Sequence, residues 1–137
     1  MATKVAQAYD GPRGCLLNKY YSRAAIDHFL HPRNSRAMSD ATGVGSAVNK
    51  AGDTVRFYTR VEGDVIESAS FEAQGCAATI AAASIATELI IGKAPAEVLG
   101  WSVEMLSTAL GGLPQFKVER AVVALSALHA SLGTTAA

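Results

Sequence analysis

Ala73-Gln74-Gly75-Cys76-Ala77-Ala78-Thr79-Ile80 is the stretch on which the chain turns: an alternating run ends at a glycine, a cysteine follows, and an apolar helix begins. A thiol at such a junction lies beside the unsatisfied N–H groups of a helix's first turn. Those donors, with the positive end of the macrodipole, favour thiolate over thiol. Thiolate is the form that binds metal or accepts sulfur. The alternative for Cys76 is a small buried side chain at a strand–helix junction, since free cysteine is among the most buried residue types.

Upstream of this stretch the period is two. Residues 54–62 place Val55, Phe57 and Val61 on one face and Arg56, Tyr58 and Arg60 on the other, which predicts a strand. Glu62-Gly63-Asp64 is a tight turn, and 65–73 predicts the partner strand, with Val65, Ala69, Phe71 and Ala73 alternating against Ile66, Ser68, Ser70 and Glu72. Residues 43–48 predict a first strand, weakened by its glycines. One apolar and one polar face predict an antiparallel sheet wetted on one side and covered by helices on the other.

Downstream the period is helical. The helix predicted after Cys76 runs to about residue 91 with Glu88 as its single charge, so it is a buried one. Gly92 ends it, Pro95 opens a new element, and two short helices are predicted at 95–100 and 103–110. Gly111-Gly112-Leu113-Pro114 breaks the chain again. The last predicted helix, 117–132, carries Val118, Ala121, Val122, Leu125, Leu128 and Leu132 on one face and is capped by Gly133. Near the start, Ser22 is an N-cap, Ile26, Phe29 and Leu30 recur at helical spacing, and Pro32 stops the helix. Helix, three strands, then several helices is the order of an α+β domain. The expectation is one domain over 21–133, a mobile arm at 1–20 and a frayed tail at 134–137.

Composition narrows the function. With 50% apolar residues in 137, the chain has enough material for a core. Twelve basic and twelve acidic side chains cancel, so no basic face for nucleic acid is expected. No apolar run approaches the roughly 20 residues of a membrane span, and no secretory signal is read at the N-terminus. Cys15 and Cys76 belong to no CxxC pair, and a reducing cytoplasm is the expected compartment. His28 and His31, three apart, are either a shared metal pair or hydrogen-bonding residues near a helix C-terminus. Nothing in the spacing brings them to Cys76 as a Cys–His nucleophile pair, so an enzyme is not expected.

Three stretches together resemble the IscU/NifU-N family of iron–sulfur cluster assembly scaffolds: Tyr21-Ser22 leading to Ile26-Asp27-His28-Phe29-Leu30-His31-Pro32-Arg33-Asn34, Gly52-Asp53, and Phe71 through Ser84 around Gly75-Cys76. The similarity spans about residues 20–132. It implies the fold above, with helices packed on one face of a three-stranded sheet, and a scaffold that accepts sulfur and holds iron, zinc or a labile cluster. The family holds its [2Fe–2S] cluster or zinc with three cysteines and an aspartate. By that resemblance Asp53 and Cys76 are ligands, while Ala51 and Arg120 stand where the other two cysteines would be and Glu119 replaces a histidine.

One thiolate and two carboxylates are a poor set for a cluster. A mixed site of Asp53, Cys76 and Glu119 suits zinc or iron. Cys15 is a possible extra ligand, and two chains sharing a cluster is another route. Arg120 is a candidate metal replacement that pairs with Asp53 or Glu119, leaving no cofactor in the isolated chain. The resemblance also implies a cysteine desulfurase as sulfur donor, a recipient metalloprotein and an Hsp70-type chaperone. The chaperone would read Leu113-Pro114-Gln115-Phe116-Lys117, where Leu113, Pro114 and Lys117 match the family motif and Gln115 and Phe116 depart from it. The competing function is a cluster-free paralogue acting as adaptor or regulator of a desulfurase or a specialised metalloenzyme.

Overall fold

The computed structural model describes residues 20–136, so the arm expected at the N-terminus, and Cys15 within it, lie outside the described residues except for Tyr20. Helix α1 (Arg23–Leu30) begins at Ser22, whose Oγ accepts the Ala25 N–H at 3.0 Å and donates to the Leu110 carbonyl. One hydroxyl thus caps a helix and ties it to a distant loop. Strands β1 (Gly43–Val48), β2 (Thr54–Glu62) and β3 (Val65–Gln74) pair antiparallel in the order β1-β2-β3. Helices α2 (Ala77–Leu89), α3 (Pro95–Leu99), α4 (Val103–Ala109) and α5 (Gln115–Ala136) follow. This is the expected α+β arrangement.

Gly45, Phe57 and Phe71 form one row across the sheet and face the helices. The two phenylalanine rings are fully buried, with centroids 6.3 Å apart. Each buries enough apolar surface to contribute about 2–3 kcal/mol. Gly45 is small for a reason: a Cβ there would lie 2.3 Å from the Ser131 nitrogen and 2.5 Å from the Ala127 carbonyl oxygen. The missing side chain lets α5 lie directly on β1. Thr59 then reaches across to donate to Ser131 Oγ at 3.2 Å. Helix α2 is buried on almost every side, as its composition requires, and holds α1 through side chains. His28 Nδ1 is 2.7 Å from Ser84 Oγ, the Arg33 N–H donates to the same Oγ at 2.9 Å, and Asn34 Nδ2 donates to Thr87 at 3.0 Å. His28 is buried and hydrogen-bonded while His31 is exposed, so the two are not gathered as a metal pair.

Three expectations are corrected. Val65 was expected on the apolar face of β3 and Ile66 opposite; Ile66 is fully buried and Val65 exposed. The register steps from Arg60↔Ser68 to Val61↔Ile66, so Glu67 is an extra residue that reverses the alternation at that end. The outer face was expected to be wetted. It is so at Ser46, Arg56 and Glu72, which are exposed, but residues 33–42 cover part of it: Phe71 donates to the Asn34 carbonyl at 3.0 Å, and Val61 donates to Thr42 Oγ1 at 2.9 Å. Tyr58 and Ser70 are buried there.

The third correction concerns α5. The sheet, α2 and α4 all press on this helix, so its buried arc is wider than the predicted stripe. It takes in Val123, Ala124 and Ala127 and leaves Val122 exposed. Gly133 does not cap the helix, which continues to Ala136. An exposed glycine inside a helix costs about 1 kcal/mol, which a helix anchored over several turns tolerates. No helix among the described residues is long and apolar enough to cross a membrane.

Candidate functional site

The turn from β1 to β2, the junction of β3 with α2, and the first turns of α5 meet at one end of the sheet. Asp53 enters from the turn. Asn49 clamps its backbone twice, accepting the Asp53 N–H on Oδ1 at 2.9 Å and donating its own N–H to the Asp53 carbonyl at 3.1 Å. The carboxylate that results is 3% exposed. From the other side Gly75 brings backbone against it, close enough that a Cβ on Gly75 would stand 2.8 Å from Asp53 Oδ1. The glycine before the cysteine is therefore required by the aspartate.

Arg120 closes the site. Its Nε donates to Asp53 Oδ2 at 2.9 Å and its Nη2 to Oδ1 at 2.8 Å, a two-point fork on one carboxylate. Asn49 Nδ2 at 3.1 Å and Thr79 Oγ1 at 3.0 Å also donate to Oδ2. The Arg120 hydrogen bonds are the main reason the Asp53 carboxyl is held well below the usual carboxylate range, against the opposing effect of burial, with Asn49 and Thr79 adding to them. The same pairing raises the Arg120 pKa further.

Cys76 occupies the N-cap position of α2 in an extended conformation and is half-buried. Its side chain makes no capping bond to the backbone; Sγ lies 3.4 Å from Thr79 Oγ1. Thr79 has a single hydroxyl hydrogen, and the ionised carboxylate is its strongest acceptor. The Thr79 hydroxyl therefore donates to Asp53 and turns its oxygen toward Sγ. Asp53, Thr79 and Cys76 form a chain of hydrogen bonds with Arg120 at its far end. Tyr21 stands near it, its phenol pushed up by burial and by Cys76 and drawn partly back by Arg120.

Of the predicted site residues, the structure thus joins Asp53, Cys76 and Arg120. Glu119 is exposed. It lines a cleft of about 410 Å³ with Asn49, Lys50, Ala51, Phe116 and Arg120. The ligand set of Asp53, Cys76 and Glu119 is not gathered: among the described residues no three His, Cys, Asp or Glu side chains come together to hold a metal. Leu113 is buried, and its N–H donates to Ser107 Oγ at 2.8 Å. The Pro114 carbonyl accepts from Lys117 and Val118 at the start of α5. The departing residue Phe116 is 65% exposed, stands edge-on to Tyr20 at 6.0 Å, and has Lys117 Nζ 5.8 Å from its ring centroid. Asn49, Thr79 and Tyr21 were missed from sequence. Thr79 sits among the small residues of an apolar helix, where nothing local marks it for the site.

The sequence profile of the NifU-like N terminal domain matches residues 20–135. The iron–sulfur cluster assembly scaffold protein IscU 1 of Archaeoglobus fulgidus is 40% identical over 113 residues, covering 82% of this chain and 74% of the relative. The iron–sulfur cluster assembly scaffold protein IscU of Aquifex aeolicus is 38% identical over 115 residues, covering 82% and 73%. Among solved structures, a nitrogen-fixing NifU-like protein (N-terminal) from Brucella abortus superposes with a TM-score of 0.71 at 13% identity, covering 88% of this chain and 97% of that one. At that identity the likeness is one of fold.

Proposed function

The chain belongs to the NifU-like N-terminal domain family, and from that premise we propose that it serves iron–sulfur cluster assembly as a scaffold-type carrier that takes up sulfur on Cys76. What supports this over a complete cluster site is the donor inventory. Cys76 is the one thiol among the described residues, and the carboxylate beside it is already bonded to Arg120. A [2Fe–2S] cluster needs four protein donors, usually thiolates. The residues present do not fit it, nor a resident zinc or iron in a single chain. As cargo, a cluster would need donors from a second copy or from Cys15.

The chemistry open to Cys76 is sulfur transfer by thiol exchange. Its thiolate attacks the terminal sulfur of a persulfide on a cysteine desulfurase. A new S–S bond forms on Cys76, the donor's S–S bond breaks, and the donor cysteine leaves as thiolate, so no outside oxidant or reductant is needed. The half-buried position gives access to a mobile donor cysteine while the helix N-terminus faces the new anion. A recipient metalloprotein takes the sulfur on, and an Hsp70-type chaperone assists; the cytoplasm is the proposed compartment. The protein carries sulfur and turns over no substrate of its own.

Anaerobic incubation with a cysteine desulfurase and cysteine, followed by intact-mass analysis, tests the reading. One added sulfur atom is expected on the wild type and on Cys15→Ser, and none on Cys76→Ser. Sulfur absent from Cys76, with the desulfurase still bound, overturns the carrier reading. The Arg120–Asp53 pair favours a second reading, a cluster-free adaptor, and that outcome would establish it.

A further inference from the structure

We propose that Arg120 is a built-in counter-ion which takes the place of a metal at Asp53 and closes the isolated chain to divalent cations. The inference goes beyond sulfur transfer and does not depend on it. A carboxylate has about four lone-pair sites. At Asp53 three donors, Arg120 Nε, Asn49 Nδ2 and Thr79 Oγ1, converge on Oδ2, and a fourth, Arg120 Nη2, takes Oδ1. Oδ2 is fully engaged, and Oδ1, which keeps one lone pair, is held by Arg120 and crowded by the backbone at Gly75.

Charge points the same way. Asp53 is almost wholly buried, and a buried carboxylate needs a cation or its ionised form is lost. A guanidinium supplies that cation covalently, at no dependence on metal supply, and its planar fork fits two oxygens as a spherical ion does not. A divalent ion entering here would have to break the two-point pair and then share the site with the displaced Arg120 charge. The cleft lined by Asn49 and Arg120, two of the Asp53 partners, adds Lys50 at its wall and offers Ala51, whose side chain has no donor atom. Glu119, the carboxylate within that cleft, is exposed and belongs to no cluster of metal-binding side chains among the described residues.

The site is therefore electrically complete without a ligand. Its order is set by protein groups alone, and chelation has nothing to remove. Removing the guanidinium should reverse both properties, because Asp53 would be left buried and unpaired beside a thiol, an oxygen and sulfur pair suited to zinc or cobalt.

Titration with Co²⁺ under nitrogen tests this, read by the thiolate-to-cobalt charge-transfer absorption, with thermal unfolding in the presence of Zn²⁺ or a chelator alongside. The wild type is expected to show no such band and the same unfolding temperature in both solutions. Arg120→Ala is expected to gain the band, to bind Co²⁺ more tightly by about tenfold or more, and to lose the band when Cys76→Ser is added. Arg120→Lys, which keeps a cation beside Asp53, is expected to stay dark; it also stands in if the alanine variant does not fold. One-to-one Co²⁺ binding by the wild type that needs both Asp53 and Cys76 overturns the proposal. So does a folded Arg120→Ala protein with unchanged metal affinity. Sulfur loading of Cys76 is measured separately, so failure here leaves the carrier reading standing.

Discussion

Four donors on Asp53 make the stability of this end of the molecule depend on acid in a definite direction. The folded carboxyl titrates well below its unfolded value of about 3.9. Its contribution is therefore complete above that value and lost as pH falls through the acid range. Urea midpoints of the wild type should drop below about pH 5 more steeply than those of Asp53→Asn combined with Arg120→Met, and parallel curves would count against the pair. His28 gives a second dependence in another window. Burial, then Arg33, lower its pKa, against the opposing pull of Glu88 and Asp27. The neutral ring is the native form, so its contribution is complete above about pH 6.5 and lost on acidification below it. His28→Gln should flatten the stability profile between pH 8 and 5, and an unchanged slope would place the dependence elsewhere. Legibility at this scale followed the chemistry of each residue. Cys76 stood out because a thiol follows Gly75 at a predicted helix start, and Asp53 because Gly52-Asp53 matched a family pattern. Thr79 reads as one more small residue in an apolar helix, and nothing local shows that Asn49 clamps Asp53.

At the level of elements, the period-two and period-3.6 patterns and the Gly and Pro breaks found the strands and helices between residues 22 and 133, and they failed where one residue changes the count or where two layers press on one helix. Glu67 is such a residue: its insertion turns Ile66 inward and Val65 outward, which no alternation count over 65–73 anticipates. Val122 was assigned to the core because it continues the stripe of Ala121 and Leu125, yet the sheet and α2 claim the opposite flank through Val123, Ala124 and Ala127. Gly45 in β1 looked like weakness and is in fact the point where α5 meets the sheet. Gly45→Ala tests that directly. Its Cβ would meet two backbone atoms of α5, neither of which can rotate away as a side chain would. The expected loss is about 3 kcal/mol, the upper part of the range for overpacking. Chemical denaturation measures it, and a loss under about 1 kcal/mol would mean that α5 shifts freely on the sheet.

Taken as a whole, the molecule places its one described thiol where three distant segments converge, and beside them it presents an aromatic rim. Phe116 lines the same cleft as Arg120 and stands edge-on to Tyr20, with Lys117 over its ring. An aromatic side chain that exposed adds little to the core, and truncating it should change folding stability by no more than about 0.5 kcal/mol. Exposed aromatics with a neighbouring cation are the side chains that dominate protein interfaces when a partner covers them. On the proposed carrier reading, a desulfurase delivering sulfur to Cys76 approaches this end of the sheet, so its contact surface and Phe116 compete for the same space or share it. Phe116→Ala should therefore raise the KM for sulfur loading by about tenfold, the loss of one interface anchor worth 1–2 kcal/mol, while the rate at saturating desulfurase stays near that of the wild type. The split separates docking from chemistry: Thr79→Val, which removes the hydroxyl bonded to both Asp53 and Cys76, acts on the transfer step and should change kcat instead. If Phe116→Ala leaves KM unchanged, the partner reaches Cys76 from the Tyr21 side, and the aromatic rim serves some other contact.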